Sequence, residues 1–250
     1  MRKVLLYPAG NSLPCTRAAN VLQSHNIPLI DHPSPDITHL LLDVPSFTDD
    51  GKLHGGKDAK LLLSMLPPSV TVIGGNLEHP ILNGYSVLDL LQSEEYLCRN
   101  AAITAHCAGK AALPHLSRTL SDCQCVIIGW GRIGKCLASL LRKMGSDVIL
   151  VIRNPKDLAL ARALGYRAFS YRKQDLLPAG ISLIFNTVPE KVLSDEAQRR
   201  FADCVKIDLA SRPGLCSEDV IHARGLPGKL APESSGNLIA ECILSYLKEE

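Results

Sequence analysis

Residues 125–154 contain a pattern that few folds accommodate: an apolar strand, a glycine-rich turn, a helix and a second apolar strand. The turn contains Gly129, Gly131 and Gly134 with the spacing Gly-x-Gly-x-x-Gly. In such a turn the first glycine allows the sharp bend, the second leaves space for a pyrophosphate, and the third lets the helix pack closely on the strand. Because a strand precedes the glycines and a helix follows them, we interpret the segment as a dinucleotide-binding βαβ unit rather than a glycine turn with a structural role alone.

The second strand of this unit ends in a cation, where NAD-binding proteins usually have an acid for the ribose 2′-hydroxyl. Arg153 suits the 2′-phosphate of NADP, because a guanidinium meets a phosphate with parallel charge-assisted hydrogen bonds. Asn154, a typical helix N-cap, and Lys156 are close enough in sequence to reach the same phosphate. We therefore expect NADP(H) rather than NAD; the alternative is that Arg153 is a solvated charge. Since a helix N-terminus also favours phosphates, the candidate cofactor-binding residues here are Gly129, Gly131, Arg132, Ile133, Gly134, Arg153, Asn154 and Lys156.

Two later strand ends contribute further candidates, because the carboxyl ends of parallel strands line the ligand crevice of an α/β sheet. They are the segments "IFNTVPEKVL" and "KIDLASRPG". Arg212, in the second segment, is a candidate clamp for a substrate carboxylate. The alternatives are that Asn186 and Thr187 form a simple turn after the first strand and that Arg212 is a surface residue. Asp208 could likewise be a buried residue held by backbone N–H groups. The candidate cofactor-binding residues are Asn186, Thr187, Pro189, Asp208, Ala210 and Ser211.

The rest of the chain alternates short apolar runs with helical stretches, which predicts the α/β class. We expect strands at 2–7, 39–44, 70–74, 123–128, 147–152, 166–169, 182–186 and 204–209. Helices are expected at 13–25, 59–66, 86–120 with a break near 101–104, and 234–250.

Composition excludes several classes of function. A net charge of +2 on 250 residues is not typical of a nucleic-acid-binding protein. The apolar start is interrupted at Pro8, so we expect no signal peptide, and no run is long enough for a membrane helix. The nine cysteines include no Cys-x-x-Cys pair, so we expect neither disulfides nor a metal site, and a cytoplasmic location.

Five motifs in order resemble the A-subunit family of dipicolinate synthase, over about residues 100–247. They are "NAAITA" (100–105), "GWGRIGKCLASLLRKMGSDV" (129–148), "IFNTVP" (184–189), "IDLASRPG" (207–214) and "GLPGKLAPESSGNLI" (225–239). The resemblance implies two Rossmann-like doubly wound domains, with a C-terminal helix that packs back on the N-terminal domain. The expected boundaries are 1–98 with 231–250 for the N-terminal domain, and 99–230 for a linker helix and the NADP-binding domain.

The resemblance also implies an activity in sporulation: NADP-dependent oxidation of a dihydrodipicolinate-type precursor to pyridine-2,6-dicarboxylate. It implies a small carboxylate substrate and a flavoprotein-like partner that forms the second part of the enzyme, and we expect a homo-oligomer. Two alternatives stay open. One is a related dehydrogenase for another small carboxylate, and the other is a catalytically silent NADP-binding partner or sensor.

The sequence departs from the family in its first 95 residues and at three later positions. His106 and Cys107 stand where the family usually has Glu-Gly, and Glu233 stands where it usually has Lys. A histidine titrates near neutral pH, so His106 is a candidate general base, the alternative being a packed or surface residue. With two residues from the first motif, the candidate catalytic residues are Asn100, Thr104, His106 and Arg212.

Overall fold

The computed structural model describes residues 4–249, which divide into two compact units. One unit runs to Asn100 and resumes at Pro227, and the other comprises Ala101–Leu226. Helix α3 (Glu94–Ala112) and helix α7 (Leu226–Leu230) contain the points at which the chain passes from one unit to the other.

The first unit contains the strands β1 (Leu6–Pro8), β2 (His39–Leu41), β3 (Thr71–Gly74) and β4 (Ser86–Asp89), and the helices α1 (Leu13–Ser24) and α2 (Ala59–Ser64). Its four strands form a parallel sheet with the sequential order β1-β2-β3-β4. Helix α1 begins where Ser12 accepts a hydrogen bond from the backbone of Cys15, as expected for a capped helix start. Residues 2 and 3 of the first predicted strand lie outside the described residues.

The C-terminal helix α8 (Pro232–Glu249) returns to the first unit and packs against α1. The two helices approach closely at Gly236, where an added Cβ would lie 2.5 Å from the Arg17 side chain and 2.6 Å from the Pro14 carbonyl oxygen. Arg17 also donates a 2.8 Å hydrogen bond from Nε to Asn237. The predicted return of the C-terminal helix is therefore confirmed, although residue 250 of that prediction lies outside the described residues.

The second unit contains the elements β5 (Gln124–Ile128), α4 (Arg132–Lys143), β6 (Asp147–Ile152), α5 (Pro155–Ala163), β7 (Arg167–Ser170), β8 (Leu183–Asn186), α6 (Asp195–Arg200), β9 (Val205–Asp208) and β10 (Val220–His222). Its six strands are parallel, in the order β10-β9-β8-β5-β6-β7. The order reverses at β5, which defines a doubly wound Rossmann-like sheet with a switch point between β5 and β8. In the first unit Leu29, which follows α1, forms a parallel bridge with Leu6 on the side of β1 away from β2, so the order reverses there as well. The predicted α/β class with doubly wound sheets is thereby confirmed.

Three local predictions were wrong or incomplete. Residues 86–89 form β4 instead of a helix, because they pair with β3, and Asp89 accepts hydrogen bonds from the backbone of Asn76 and Leu77. Helix α3 continues through 101–104, since the buried Ala101, Ala105 and Ala108 pack it tightly enough to offset weak propensities of a few tenths of a kcal/mol. Strand β10 was missed, because three residues carry too little periodicity.

Within residues 4–249, every helix is too short or too polar to cross a bilayer.

One ion pair secures the edge of the second sheet. Lys206 on β9 is 1% exposed and bonds through Nζ to Asp219, which precedes β10, and to the carbonyl oxygen of Ala202 at 3.1 Å. Hydrogen bonding to Lys206 lowers the pKa of Asp219. The ammonium is enclosed while the carboxylate is 48% exposed, so loss of the carboxylate leaves a buried charge with carbonyl partners alone.

We expect Asp219→Ala to lower the free energy of unfolding by about 2 kcal/mol, less than for a fully enclosed pair, because Asp219 is half exposed. Urea denaturation of both forms measures the difference. Asp50→Ala is the matched control, since its pair with Lys52 is exposed on both sides and its loss should leave the midpoint unchanged. Equal effects of the two substitutions would show that Lys206 does not depend on Asp219.

Candidate functional site

The glycine turn is held by two close contacts that exclude side chains. Gly129 follows β5 with φ +103°, a left-handed conformation that favours glycine, and a Cβ there would lie 2.3 Å from Oγ1 of Thr187. At Gly134, inside α4, a Cβ would lie 2.5 Å from the carbonyl oxygen of Gly129. These contacts place the start of α4 directly over the end of β5.

Gly131 differs from its two neighbours in the motif. It is the N-cap of α4, and a Cβ built on it meets no other atom within 4 Å. The N-cap has no side chain to cover the N–H groups of the first helical turn, and these groups carry the positive end of the helix dipole. The open space at Gly131 is therefore suited to an anionic group such as a pyrophosphate.

A cavity of about 370 Å³ opens beside this turn. Its walls come from the carboxyl ends of β5, β6 and β8, so it lies at the switch point of the sheet, and its volume is within the usual range for small-ligand sites. The predicted residues that line it are Gly129, Gly131, Arg153, Asn154, Thr187 and Pro189. The lining residues that sequence reasoning did not name are Trp130, Ile152, Asp157, Tyr171 and Val188.

Arg153 lies at the end of β6 and is paired with an acid. Its Nη1 donates to Oε2 of Glu190 at 2.9 Å, and the two side chains are 69% and 60% exposed. Glu190 was missed because it is 37 residues away in the sequence. No short motif links the two loops, and only the position of β6 and β8 on either side of β5 brings them together.

Asn154 and Tyr171 lie next to Arg153 in the cavity wall. The Asn154 side chain caps α5, accepting a 2.9 Å hydrogen bond from the backbone of Lys156, whose own side chain is exposed. Burial raises the pKa of the Tyr171 hydroxyl, while Arg153 lowers it and Glu190 raises it. The charges of Arg153 and Glu190 therefore both reach a side chain that lines the cavity.

Hydrogen bonds within the protein fix the position of the two residues at the end of β8. Thr187 donates from Oγ1 to the carbonyl oxygen of Ile128 at 2.8 Å, which ties β8 to β5 beside the glycine turn. Asn186 is fully buried and donates from Nδ2 to the carbonyl oxygen of Val188 and to Asp208. Thr187 thus lines the cavity, whereas Asn186 shapes its wall.

Asp208, at the end of β9, is 1% exposed and accepts four hydrogen bonds. Besides Asn186, its donors are the backbone N–H groups of Ala210, Gly214 and Leu215, at 2.7–3.0 Å. The carboxylate therefore organises the loop that follows the strand. In that loop Ala210 is buried, whereas Ser211 and Arg212 are exposed.

The other candidate residues lie on the helices. Asn100 and Thr104 are one helical turn apart on α3, so they share a face, with Asn100 half-buried and Thr104 buried. His106 is exposed on another side of the same helix. Arg132 is exposed and Ile133 half-buried in the first turn of α4, where their backbone, rather than their side chains, is the part suited to a phosphate.

Comparison with known proteins defines the class first. Residues 125–176 match the TrkA-N domain family. The NAD-complexed D-isomer specific 2-hydroxyacid dehydrogenase of Lactobacillus delbrueckii ssp. bulgaricus has a similar fold, with a TM-score of 0.53 and 11% identity, over 98% of this chain and 97% of that one. The chain therefore has a Rossmann-like fold shared with dehydrogenases.

Within that class, the chain is similar to the A-subunit of dipicolinate synthase from Bacillus subtilis. The two sequences are 25% identical over 172 residues, which is 65% of this chain and 58% of the relative, so less than two thirds of the relative is aligned. The crystal structure of the same B. subtilis polypeptide matches with a TM-score of 0.82 and 19% identity, covering 100% of this chain and 97% of that one. The resemblance carried by the motifs is thereby confirmed.

We expect Gly129→Ala and Gly131→Val to have opposite consequences. Alanine at 129 must adopt a left-handed backbone and contact Thr187, so it should lower the free energy of unfolding by about 2 kcal/mol or more. Valine at 131 should leave the melting temperature unchanged but block dinucleotide binding, because its side chain fills the open space. Thermal melts and titration of NADPH fluorescence measure both effects. Unchanged affinity in folded Gly131→Val would contradict the role given to this turn.

Proposed function

We propose that the protein is an NADP-dependent oxidoreductase of the dipicolinate synthase type, which oxidises a dihydrodipicolinate-type precursor to pyridine-2,6-dicarboxylate. The observation that carries this proposal is the cavity at the switch point, with open space at Gly131 and a cation, Arg153, at the end of β6. The similarity to the dipicolinate synthase A-subunit supports the choice of reaction.

Each part of the cofactor has a suitable group in the cavity. The backbone at Gly131 and the first turn of α4 would hold the pyrophosphate, and Arg153 the 2′-phosphate. Thr187 and Pro189, at the end of β8, would contact the nicotinamide side. When bound, NADP⁺ supplies a hydride acceptor to the site.

The reaction also needs a proton acceptor and cations for two carboxylates, because forming the aromatic ring removes a hydride and a proton. Arg212 is our candidate for one carboxylate: it is exposed and forms no ion pair with any described residue, on a loop that Asp208 holds in place. His106 is our candidate base, since its imidazole is exposed on α3. Asn100 and Thr104 are proposed to position the substrate from the same helix.

A second function is favoured by one observation. Glu233, in the first turn of α8, places an acid where the family usually has Lys, so a cation that could meet one substrate carboxylate is replaced by an anion. The substrate of this chain would then be another small carboxylate. In either case we propose a flavoprotein-like partner and a homo-oligomer; the name of the B. subtilis relative, a subunit, supports the presence of a partner.

The activity is tested with the purified chain, NADP⁺ and the dihydrodipicolinate-type precursor, with and without a flavoprotein partner. We expect NADPH and pyridine-2,6-dicarboxylate to appear in equal amounts.

Arg212→Ala should raise KM about tenfold with unchanged NADPH affinity, since one charge-assisted contact is worth about 1.4 kcal/mol or more. Arg118→Ala, in an exposed position before β5, is the control. NADPH binding without turnover under both conditions would favour the other carboxylate substrates or the silent partner.

The cofactor preference is tested by calorimetry with NADPH and NADH. We expect wild type to bind NADPH about tenfold more tightly, the effect of about 1.4 kcal/mol from one charge-assisted contact to Arg153. Arg153→Ala should remove the preference, and high salt should reduce it in wild type, since the side chain is exposed. Arg118→Ala should retain the preference. Equal affinities in wild type would show that Arg153 does not contact the phosphate.

A further inference from the structure

The pair formed by Arg153 and Glu190 crosses the end of the strand that carries the glycine turn. Arg153 directly follows β6, and Glu190 lies four residues beyond the end of β8. Because β5 lies between these two strands in the sheet, the ion pair connects the loops on its two sides. Both loops contribute to the cavity wall, through Arg153 itself and through Pro189, the neighbour of Glu190.

The carboxylate of Glu190 therefore holds the cation that the proposed 2′-phosphate needs. An exposed ion pair contributes little to stability, so a ligand can displace it. A 2′-phosphate that used the remaining N–H donors of Arg153 would instead lie beside Glu190, and two neighbouring anions repel each other. In both arrangements Glu190 weakens the binding of NADP, which carries the 2′-phosphate. The binding of NAD, which lacks this phosphate, is not affected.

We propose that Glu190 is a specificity-determining residue, which competes with the 2′-phosphate of NADP for Arg153 and so limits the preference of this site for NADP over NAD. The inference rests on the proposed function. Tyr171 belongs to the same region, since it lines the cavity together with Arg153.

The test compares wild type with Glu190→Gln by calorimetry at low ionic strength, using NADPH and NADH. We expect the substitution to tighten NADPH binding about three- to fivefold and to change NADH binding less than about twofold, because it removes one nearby negative charge. The same substitution in Arg153→Ala should have a smaller effect on NADPH, since the shared cation is gone. High salt should reduce the gain.

Glu218→Gln is the matched control: it removes one exposed carboxylate before β10, at the opposite edge of the sheet, and should change neither affinity. All forms should melt as wild type does, because both side chains are exposed. An unchanged ratio of NADPH to NADH affinity in Glu190→Gln overturns the inference while leaving the proposed function intact. A selective loss of NADH binding also overturns it and makes Glu190 an acceptor for the ribose hydroxyl. Failure of the wild type to bind either dinucleotide overturns the proposed function itself.

Discussion

The close approach of helix α4 to strand β5 is the constraint on which the site depends. It exists because Gly134 has no Cβ, so that the helix backbone can reach the carbonyl oxygen of Gly129. The same approach requires the left-handed bend at Gly129, and that bend brings the chain against Thr187 at the end of β8. The ends of β5 and β8 are thus joined to the start of α4, whose free N–H groups are directed at the cavity. A side chain at either glycine would separate the helix from the sheet and remove the cavity's floor.

A second, polar constraint shapes the neighbouring wall. Asp208 satisfies three backbone N–H groups and the Asn186 amide in a buried position, where each of them would otherwise be costly. The loop after β9 therefore has one arrangement, with Leu215 held inside and Arg212 outside. Arg212, the proposed substrate-binding residue, is exposed because the loop has this arrangement. The position of Asp208 at a strand end suggests a ligand-binding residue. In this structure its hydrogen bonds instead hold the loop that follows β9.

Sequence reasoning succeeded where structure is encoded in neighbouring residues. The run from β5 to the Asn154 cap of α5 was predictable because glycine spacing, continuous apolar runs and helix capping are all local. It failed for residues 86–89, whose strand conformation depends on pairing with β3, and for Glu190, whose contact with Arg153 depends on the order of strands in the sheet. The burial of Asn186 and Asp208 was likewise not decidable from residue type, since both types also occur at ligand sites. Contacts that depend on which strands are neighbours in the sheet produce no pattern within a short stretch of sequence.

The return of α8 to the first unit has a consequence for how the protein is made. The second unit is one continuous segment, Ala101–Leu226, so all of its strands have been synthesised before the ribosome reaches α8. The first unit starts earlier in the chain but includes Pro232–Glu249, and until that helix emerges the surface of α1 around Arg17 has no partner. Domains fold as units during synthesis. The unit that begins second is therefore the first to be complete, and the face of α1 that packs against α8 stays uncovered until the last helix has been made.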